Sequence, residues 1–495
     1  MRKKKVLFQS DWSLAKTGFG RNAKAVLSYL FKTDKYELVH YCCGIQYSSP
    51  ALKALPWKSI GSVPDDKVDL QRMNKDPVLS RMASYGANYL DRVIKNEKPD
   101  VYIGAQDIWG IEYATKKPWF SKINSAIWTT LDSLPILPSA IDTAKKVDNY
   151  WVWSSFAEKA LHELGYGHVK TLHGAVDPQF FKPLKKEARL ALRNRFEIED
   201  DNYVIGFVFR NQLRKSVPNL LEGFKLFKRK NPEAKPKLLL HTHFGEGWSI
   251  PRLAKEYEIP SEDILTTYIC RHCFQYQIKP FFGEEQDCPW CGTSKAQVTT
   301  QVSVGVSEPQ LNEIYNMMDV YCHPFTSGGQ EIPIQEAKLT ELVTLVTDYS
   351  CGEEMCQRAA ASLPLDWNEY REHGTEFKKA STDPESIEAR LSESFLMGEK
   401  ERKELGEKAR KWTIENYSPE NVGKKIEEFI DGCDYVEYDF SLDKEEKDPY
   451  YQMPEIEEDR EWLQHMYENI LKMKDQGSID QGIDYWLSEL GGDAS

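Results

Sequence analysis

The 495-residue chain has no long apolar run. Nothing approaches the roughly 18 consecutive apolar residues of a membrane span. The opening MRKKKVLFQS has a basic flank, but polar residues interrupt it before the apolar stretch of roughly 7–15 residues that secretion needs. These absences lead to the expectation of a cytoplasmic protein. Tandem short repeats are missing too, so neither a solenoid nor a propeller is indicated. Six of the ten cysteines (Cys42, Cys43, Cys322, Cys351, Cys356 and Cys433) fall at no repeating spacing. Without a secretion signal they read as reduced core thiols rather than disulfides. Basic residues are scarce at the end of the chain: residues 431–495 hold 5 Lys and Arg against 19 Asp and Glu. Residues 1–180 lean the other way, 25 against 18. The net charge of −13 does not favour nucleic-acid binding by the whole chain, while the basic first part leaves an anionic partner open.

What is present is regular. With 41% hydrophobic and 28% charged residues, and length for roughly three domains, the chain can bury large cores. Short apolar runs alternate with amphipathic stretches from the start. KVLFQS, YELVHY, DVYIGA, SAIWTTL, YWVWS and VKTLHG read as strands, with helices such as GRNAKAVLSYLF between them. Past VDPQFFKPLKKEARLALRNRF a second series begins: strand YVIGFVF, helix VPNLLEGFKLFKR, strand KLLLHTH, and later strands DVYCHPF and LVTLVTD flanking helix PIQEAKL. Such alternation feeds mostly parallel sheets. The predicted fold class is α/β, with two doubly wound, Rossmann-like domains at 1–180 and 181–432 and an acidic helical extension at 433–495. In that extension EDREWLQHMYENILKMK sets Trp462, Met466, Ile470 and Met473 on one helical face, to pack on the body or to bind a partner.

The segment CRHCFQYQIKPFFGEEQDCPWCG places Cys270, Cys273, Cys288 and Cys291 in two Cys-x-x-Cys hooks. Duplicated hooks are unnecessary for a redox pair, and four thiolates suit a tetrahedral, structural zinc ion. The predicted ribbon, roughly 268–303, interrupts a strand-to-helix loop of the second domain. In open α/β sheets such loops lie at the carboxyl ends of strands, where ligands bind. The ribbon is therefore expected at the rim of a cleft.

Three stretches of the second domain carry candidate chemistry. In FRNQLRKSVPNLLEGF, Arg210 and Lys215 stand in a loop before a helix, a good diphosphate site because fixed cations and exposed backbone N–H groups act together. VGVSEPQLNEIYNMMDVYCHPF follows, then TSGGQEIPIQEAKLTELVTLVTDYSCGEE, where the amides of Gly328 and Gly329 can meet phosphate or sugar oxygens and Glu336 can accept from a ribose. His241 and His243, two apart, face one side and suit donor contact or core packing better than a metal; His173 suits a structural role.

In this order the stretches resemble the retaining family-4 glycosyltransferases of the GT-B architecture. Arg210 and Lys215 match that family's Arg and Lys five apart, Val306 to Pro324 its "VS…P" segment, and Glu336, Ala337, Val343 to Asp348 and Glu353 or Glu354 its last motif. TGFGRNAKAV, with Gly18 and Gly20, resembles its Gly-rich loop near the donor phosphates, and HGAVDPQFFKPL its interdomain linker. The resemblance implies transfer of a sugar from a nucleotide-diphosphate donor with retention, Arg210 and Lys215 stabilising the leaving diphosphate and Glu336 holding the ribose. No catalytic metal is implied, in keeping with the absence of an Asp-x-Asp cluster. There are two departures. The first Glu of the family's Glu-x7-Glu signature is missing, since its position is Gly328, and Glu331 or Gln330 is the candidate to reach the same space. Where the family has a catalytic His, DVYIGAQDIWG offers Gln106 and Asp107; Asp107 either orients or deprotonates the acceptor or caps the next helix. The acceptor is open, with modified DNA or a protein among the possibilities that a ribbon and a basic first domain raise. A catalytically inactive binding protein on the same scaffold is the alternative; a sugar phosphorylase or nucleotide-sugar epimerase is a third.

Overall fold

Strands of near-continuous apolar residues, such as VYIGA and VIGFV, are buried along their whole length, as parallel strands covered on both faces must be. The computed structural model describes residues 2–301 and 303–440. Its first sheet holds β1 (Lys4–Asp11), β2 (Tyr36–Gln46), β3 (Lys58–Val63), β4 (Val101–Ala105), β5 (Asn124–Thr129), β6 (Tyr150–Val152) and β7 (Lys170–Thr171). All pairings are parallel, in the order β3-β2-β1-β4-β5-β6-β7.

The second sheet repeats the winding. Its parallel strands are β8 (Val204–Val208), β9 (Lys237–His241), β10 (Ile264–Cys270), then β14 (Val320–His323), β15 (Val343–Thr347) and β16 (Leu363–Leu365), ordered β10-β9-β8-β14-β15-β16. Between β10 and β14 lie β11 (Tyr276–Pro280), β12 (Glu285–Gln286) and β13 (Gln297–Thr299) of the ribbon, while β17 (Trp367–Arg371) and β18 (Lys378–Thr382) form a separate antiparallel hairpin. In each sheet the order reverses beside the first strand, between β1 and β4 and between β8 and β14. Crevices for ligands open at such switch points, beyond the carboxyl ends of the strands.

The ribbon is not a detached module. β11 runs antiparallel along Leu265–Ile269 of β10. On the other side β10 pairs with β9 through Thr266 and with β13 from Tyr268 onward, so β13 continues the lane of β9 past its carboxyl end. Residues up to Glu437 form one compact unit. Within it the chain returns at its end to the first sheet: helix Pro419–Gly432 lies on helix Gly18–Thr33. A Cβ at Gly423 would come within 2.3 Å of the Tyr29 ring, so glycine permits this approach. Tyr29 donates to Glu427 at 2.7 Å and Tyr36 to Asp431 at 2.5 Å. Among the described residues no helix is long and apolar enough to cross a membrane. The face of Trp462, Met466, Ile470 and Met473 lies outside the described residues.

Candidate active site

Both switch points open into one cleft of about 700 Å³, reached from the first sheet by Asp11 and Asp107 and from the second by Lys215, Glu331 and Glu336. On the second side, β8 runs into a short 3₁₀ turn, Leu213–Lys215, and Ser216 in the left-handed region starts the next helix. This turn carries Arg214 and Lys215 inward. Both ion-pair with Glu331, whose other neighbour is His323 at the end of β14, with Nε2 3.0 Å from Oε2. Burial works against a charge on Glu331, but Arg214, Lys215 and His323 prevail and hold its carboxyl well below the usual range. Burial and the neighbouring Arg214 lower Lys215 to about 8 against the pull of Glu331. Burial likewise lowers His323 to about 4, so its imidazole is neutral near pH 7. Nε2 then carries the proton donated to Glu331, and Nδ1 accepts from the Tyr321 hydroxyl at 2.8 Å.

Glu331 gets there by an unusual backbone: φ is +55° at the N-cap of helix Ile332–Leu339, and its side chain does not cap that helix. The helix's positive end is left for an anion. Gly328 matters for the same reason. A Cβ there would lie 2.5 Å from a Glu331 carboxylate oxygen, so the Glu331 side chain fills the space a residue-328 side chain would take. Gln330, the other candidate for that space, is turned away: it accepts from Gly174 N at 2.6 Å and donates to Gly174 O at 2.8 Å, pinning the linker. A Cβ on Gly329 would come within 2.5 Å of Thr130 of the first domain, so the two sides meet closely here.

Arg210 is placed differently from its sequence promise. It stands at the rim, 57% exposed, paired with Glu246 at 3.3 Å. Glu336 is fully buried and bridges the domains: it pairs with Arg21 of helix Gly18–Thr33 and accepts from Tyr315 at 2.8 Å. Burial raises its pKa while Arg21 and Tyr315 oppose the rise. Gly18 opens the helix against Ile332, and Gly20 sits where a Cβ would come 2.7 Å from the Ala15 carbonyl oxygen, so that loop requires glycine.

On the first side, Asp107 occupies the N-cap position of the short helix Ile108–Ile111 without capping it; its carboxylate accepts from Thr130 at 2.5 Å instead. Burial raises Asp107, Thr130 opposes, and Asp132 and Asp11 add to the rise. Asp11, at the end of β1, accepts from Thr17 and Gln106, and burial raises it as well. The Tyr85 and Trp109 rings meet edge to face at 4.8 Å beside them. His241 at the end of β9 and His243 just beyond it line the cleft, their Nδ1 atoms 2.9 Å from the hydroxyls of Thr267 and of Thr299 in the ribbon. His173 lies outside this group, against Glu354 at 3.3 Å, its ring tilted against that of Tyr417 with centroids 4.3 Å apart.

The ribbon's four cysteine sulfurs lie within 4.8 Å of one another. Cys270–Cys291 and Cys273–Cys288 separations are both 3.7 Å. A tetrahedral ion with metal–sulfur bonds of about 2.3 Å requires edges of about 3.8 Å, so the donor set fits zinc. The two hooks are built alike. Cys270 and Cys288 donate to the carbonyls of Gln275 and Thr293, and Phe274 and Gly292, both at positive φ, donate back to them. The segment returning from the ribbon lines the cleft at Thr300, Gln301, Gly305 and Val306.

Arg21, Arg214 and His323 were not singled out by the sequence. Arg214 adjoins Lys215, and a basic residue beside a candidate was the available signal; nothing local distinguishes Arg21 or His323.

No protein-family model and no curated protein matches the sequence. Solved structures do match. A glycosyltransferase from Rickettsia africae superposes with a TM-score of 0.59 at 14% identity, covering 87% of this chain and 99% of that one. Anabaena Alr3699/HepE in complex with UDP gives 0.58 at 10%, covering 86% and 99%. Sucrose-phosphate synthase from Thermosynechococcus elongatus gives 0.56 at 12%, covering 87% and 98%. The chain has the GT-B fold of these proteins.

Proposed function

We propose that this protein is a nucleotide-sugar glycosyltransferase that retains the anomeric configuration. The observation that carries the reading is the cluster of Arg214 with the buried Lys215 and Glu331 at the second switch point, facing Asp107 across one cleft. The donor's diphosphate is held by Lys215 and Arg214, with Arg210 at the rim, and by the uncapped end of helix Ile332–Leu339. The bond from the anomeric carbon to the diphosphate oxygen breaks, and a bond to an acceptor oxygen forms on the same face. The acceptor's proton leaves with the diphosphate, whose growing charge Lys215 and Arg214 stabilise. Before reaction Asp107 accepts a hydrogen bond from the acceptor hydroxyl and orients it; the proton then turns to the diphosphate oxygen as the glycosidic bond forms. Four thiolates hold a structural zinc ion that fixes the ribbon beside the cleft. The GT-B likeness and the UDP carried by one neighbour support the donor class.

The test is a melting-temperature screen against UDP-, GDP-, ADP- and dTDP-sugars, with Lys215→Ala alongside. One donor should raise the midpoint of the wild type and not of the variant, and should then release its nucleoside diphosphate on turnover. If nothing shifts a folded, zinc-loaded wild type, or if a nucleotide binds but no sugar is ever transferred, the chain is a binding protein on a transferase scaffold.

A further inference from the structure

We propose that Glu331 is the carboxylate which the resemblance places at position 328, delivered three residues later in the chain by a left-handed backbone, and that His323 is the residue that positions it. The inference rests on the donor-site reading above and assigns the task inside it: Glu331 keeps Lys215 charged and aimed at the diphosphate.

The space argument is direct. Side chains at 328 and 331 compete for one volume, because a Cβ on Gly328 would meet the Cγ, Cδ and Oε1 of Glu331 at 2.5–2.9 Å. One residue must be small for the other to reach the cations. Position 331 can serve only from φ +55°, a conformation costly to most side chains. The neighbouring chain is fixed to permit it: Gln330 is clamped to Gly174 by two hydrogen bonds, and Gly329 lies against Thr130.

The charge argument follows. Lys215 faces Arg214 on its own turn, Glu331 from the helix start, His323 from β14 and the buried Cys351 thiol. Glu331 is the carboxylate in contact with it, so it decides whether the lysine stays protonated. Among the described residues His323 reaches the donor end of the cleft through its hydrogen bond to Glu331, an acceptor-only carboxylate that fixes its tautomer; its ring lies edge-on to Phe207 and Phe325, and its Nδ1 is 2.8 Å from the Tyr321 hydroxyl. It is a positioning residue.

The experiment exchanges the carboxylate. Gly328→Glu, Glu331→Gly and the double variant are compared with wild type for donor-dependent nucleoside diphosphate release and for melting temperature. Each single variant should lose about a hundredfold in kcat/KM, one through crowding and the other through an unpaired cation pair. The double variant should recover at least about tenfold over either, since it again has one carboxylate in that space. Melting temperature should show the same pattern, and this readout holds even if no sugar nucleotide is turned over, a result that would count against the donor-site reading alone. His323→Gln retains a donor toward Glu331 and should keep the alkaline limb of kcat/KM near wild type. His323→Phe should move that limb down by about one pH unit. A double variant no better than its parents in either readout overturns the exchange. An alkaline limb unmoved by His323→Phe overturns the positioning role.

Discussion

At the carboxyl ends of β8 and β14, Lys215, His323 and Glu331 form one hydrogen-bonded cluster with Arg214, whereas the ends of β1 and β4 carry Asp11, Gln106 and Asp107 with neutral partners only. The first six parallel strands behind each of these two walls are wound in the same order, 3-2-1-4-5-6. Topology therefore supplies the crevice twice, and the loop residues alone give one side its cations and the other its carboxylates. A diphosphate is attracted to the wall of the second sheet and repelled by that of the first; a neutral hydroxyl donor suits the first.

The strongest way to break this comparison is to cut the bond between the walls. Arg21→Met removes the partner of Glu336, which is fully buried, and should cost about 3 kcal/mol, the lower end for a broken buried pair because Glu336 can take up a proton. The sign with pH follows. Without Arg21 the folded pKa of Glu336 rises further above its unfolded value, so the folded state binds the extra proton and the loss grows as pH rises. Denaturant melts at pH 5 and pH 8 check this: the deficit should be larger at pH 8.

Next in size is Lys215→Ala, which removes a cation from the second wall alone. Turnover should fall by about 10²–10³ with the first wall intact, measured as nucleoside diphosphate release. In the wild type, kcat/KM should decline as pH rises past about 8, where Lys215 loses its proton. Lys215→Arg should move that limb beyond the accessible range, since guanidinium stays charged.

Asp107→Asn sharpens the comparison from the other side. The rate should fall by about 10² while the donor's effect on melting temperature persists. Burial and its acidic neighbours raise the Asp107 pKa, so the acid limb of the wild-type profile should stand above the ordinary aspartate value of about 3.9, activity being lost as pH falls through it. The limb should vanish in the variant.

Much of the scaffold is readable in the chain. KVLFQS, DVYIGA, YVIGFVF and DVYCHPF read as buried strands because a covered parallel strand needs apolar residues on both faces. The hooks announce the Cys270–Cys291 cluster because its ligands are local in sequence. Contacts that depend on close approach of distant segments were not readable. Arg21 meets Glu336 across 315 residues, and helix Pro419–Gly432 crosses back onto the first domain. Nor does periodicity reveal that β13 would extend the lane of β9, or that Glu331 would adopt positive φ, since both depend on how one loop is gripped by another.

Arg210 and Arg214 show the same limit on the smallest scale. The five-residue spacing to Lys215 favours Arg210, but direction is set by the 3₁₀ turn Leu213–Lys215, which brings Arg214 to Glu331 and leaves Arg210 paired with Glu246 in solvent. An exposed pair of that kind contributes about 0.2–1 kcal/mol at most, because water screens it and two long side chains lose freedom to form it. Arg210→Ala should therefore change stability by less than about 1 kcal/mol, and its mild effect on donor affinity should weaken further with added salt. Arg214→Ala, read in the same turnover assay, should fall about a hundredfold. Equal effects of the two substitutions would mean that Arg210 swings inward on the diphosphate, and the second wall would then gain a cation only when the donor is bound.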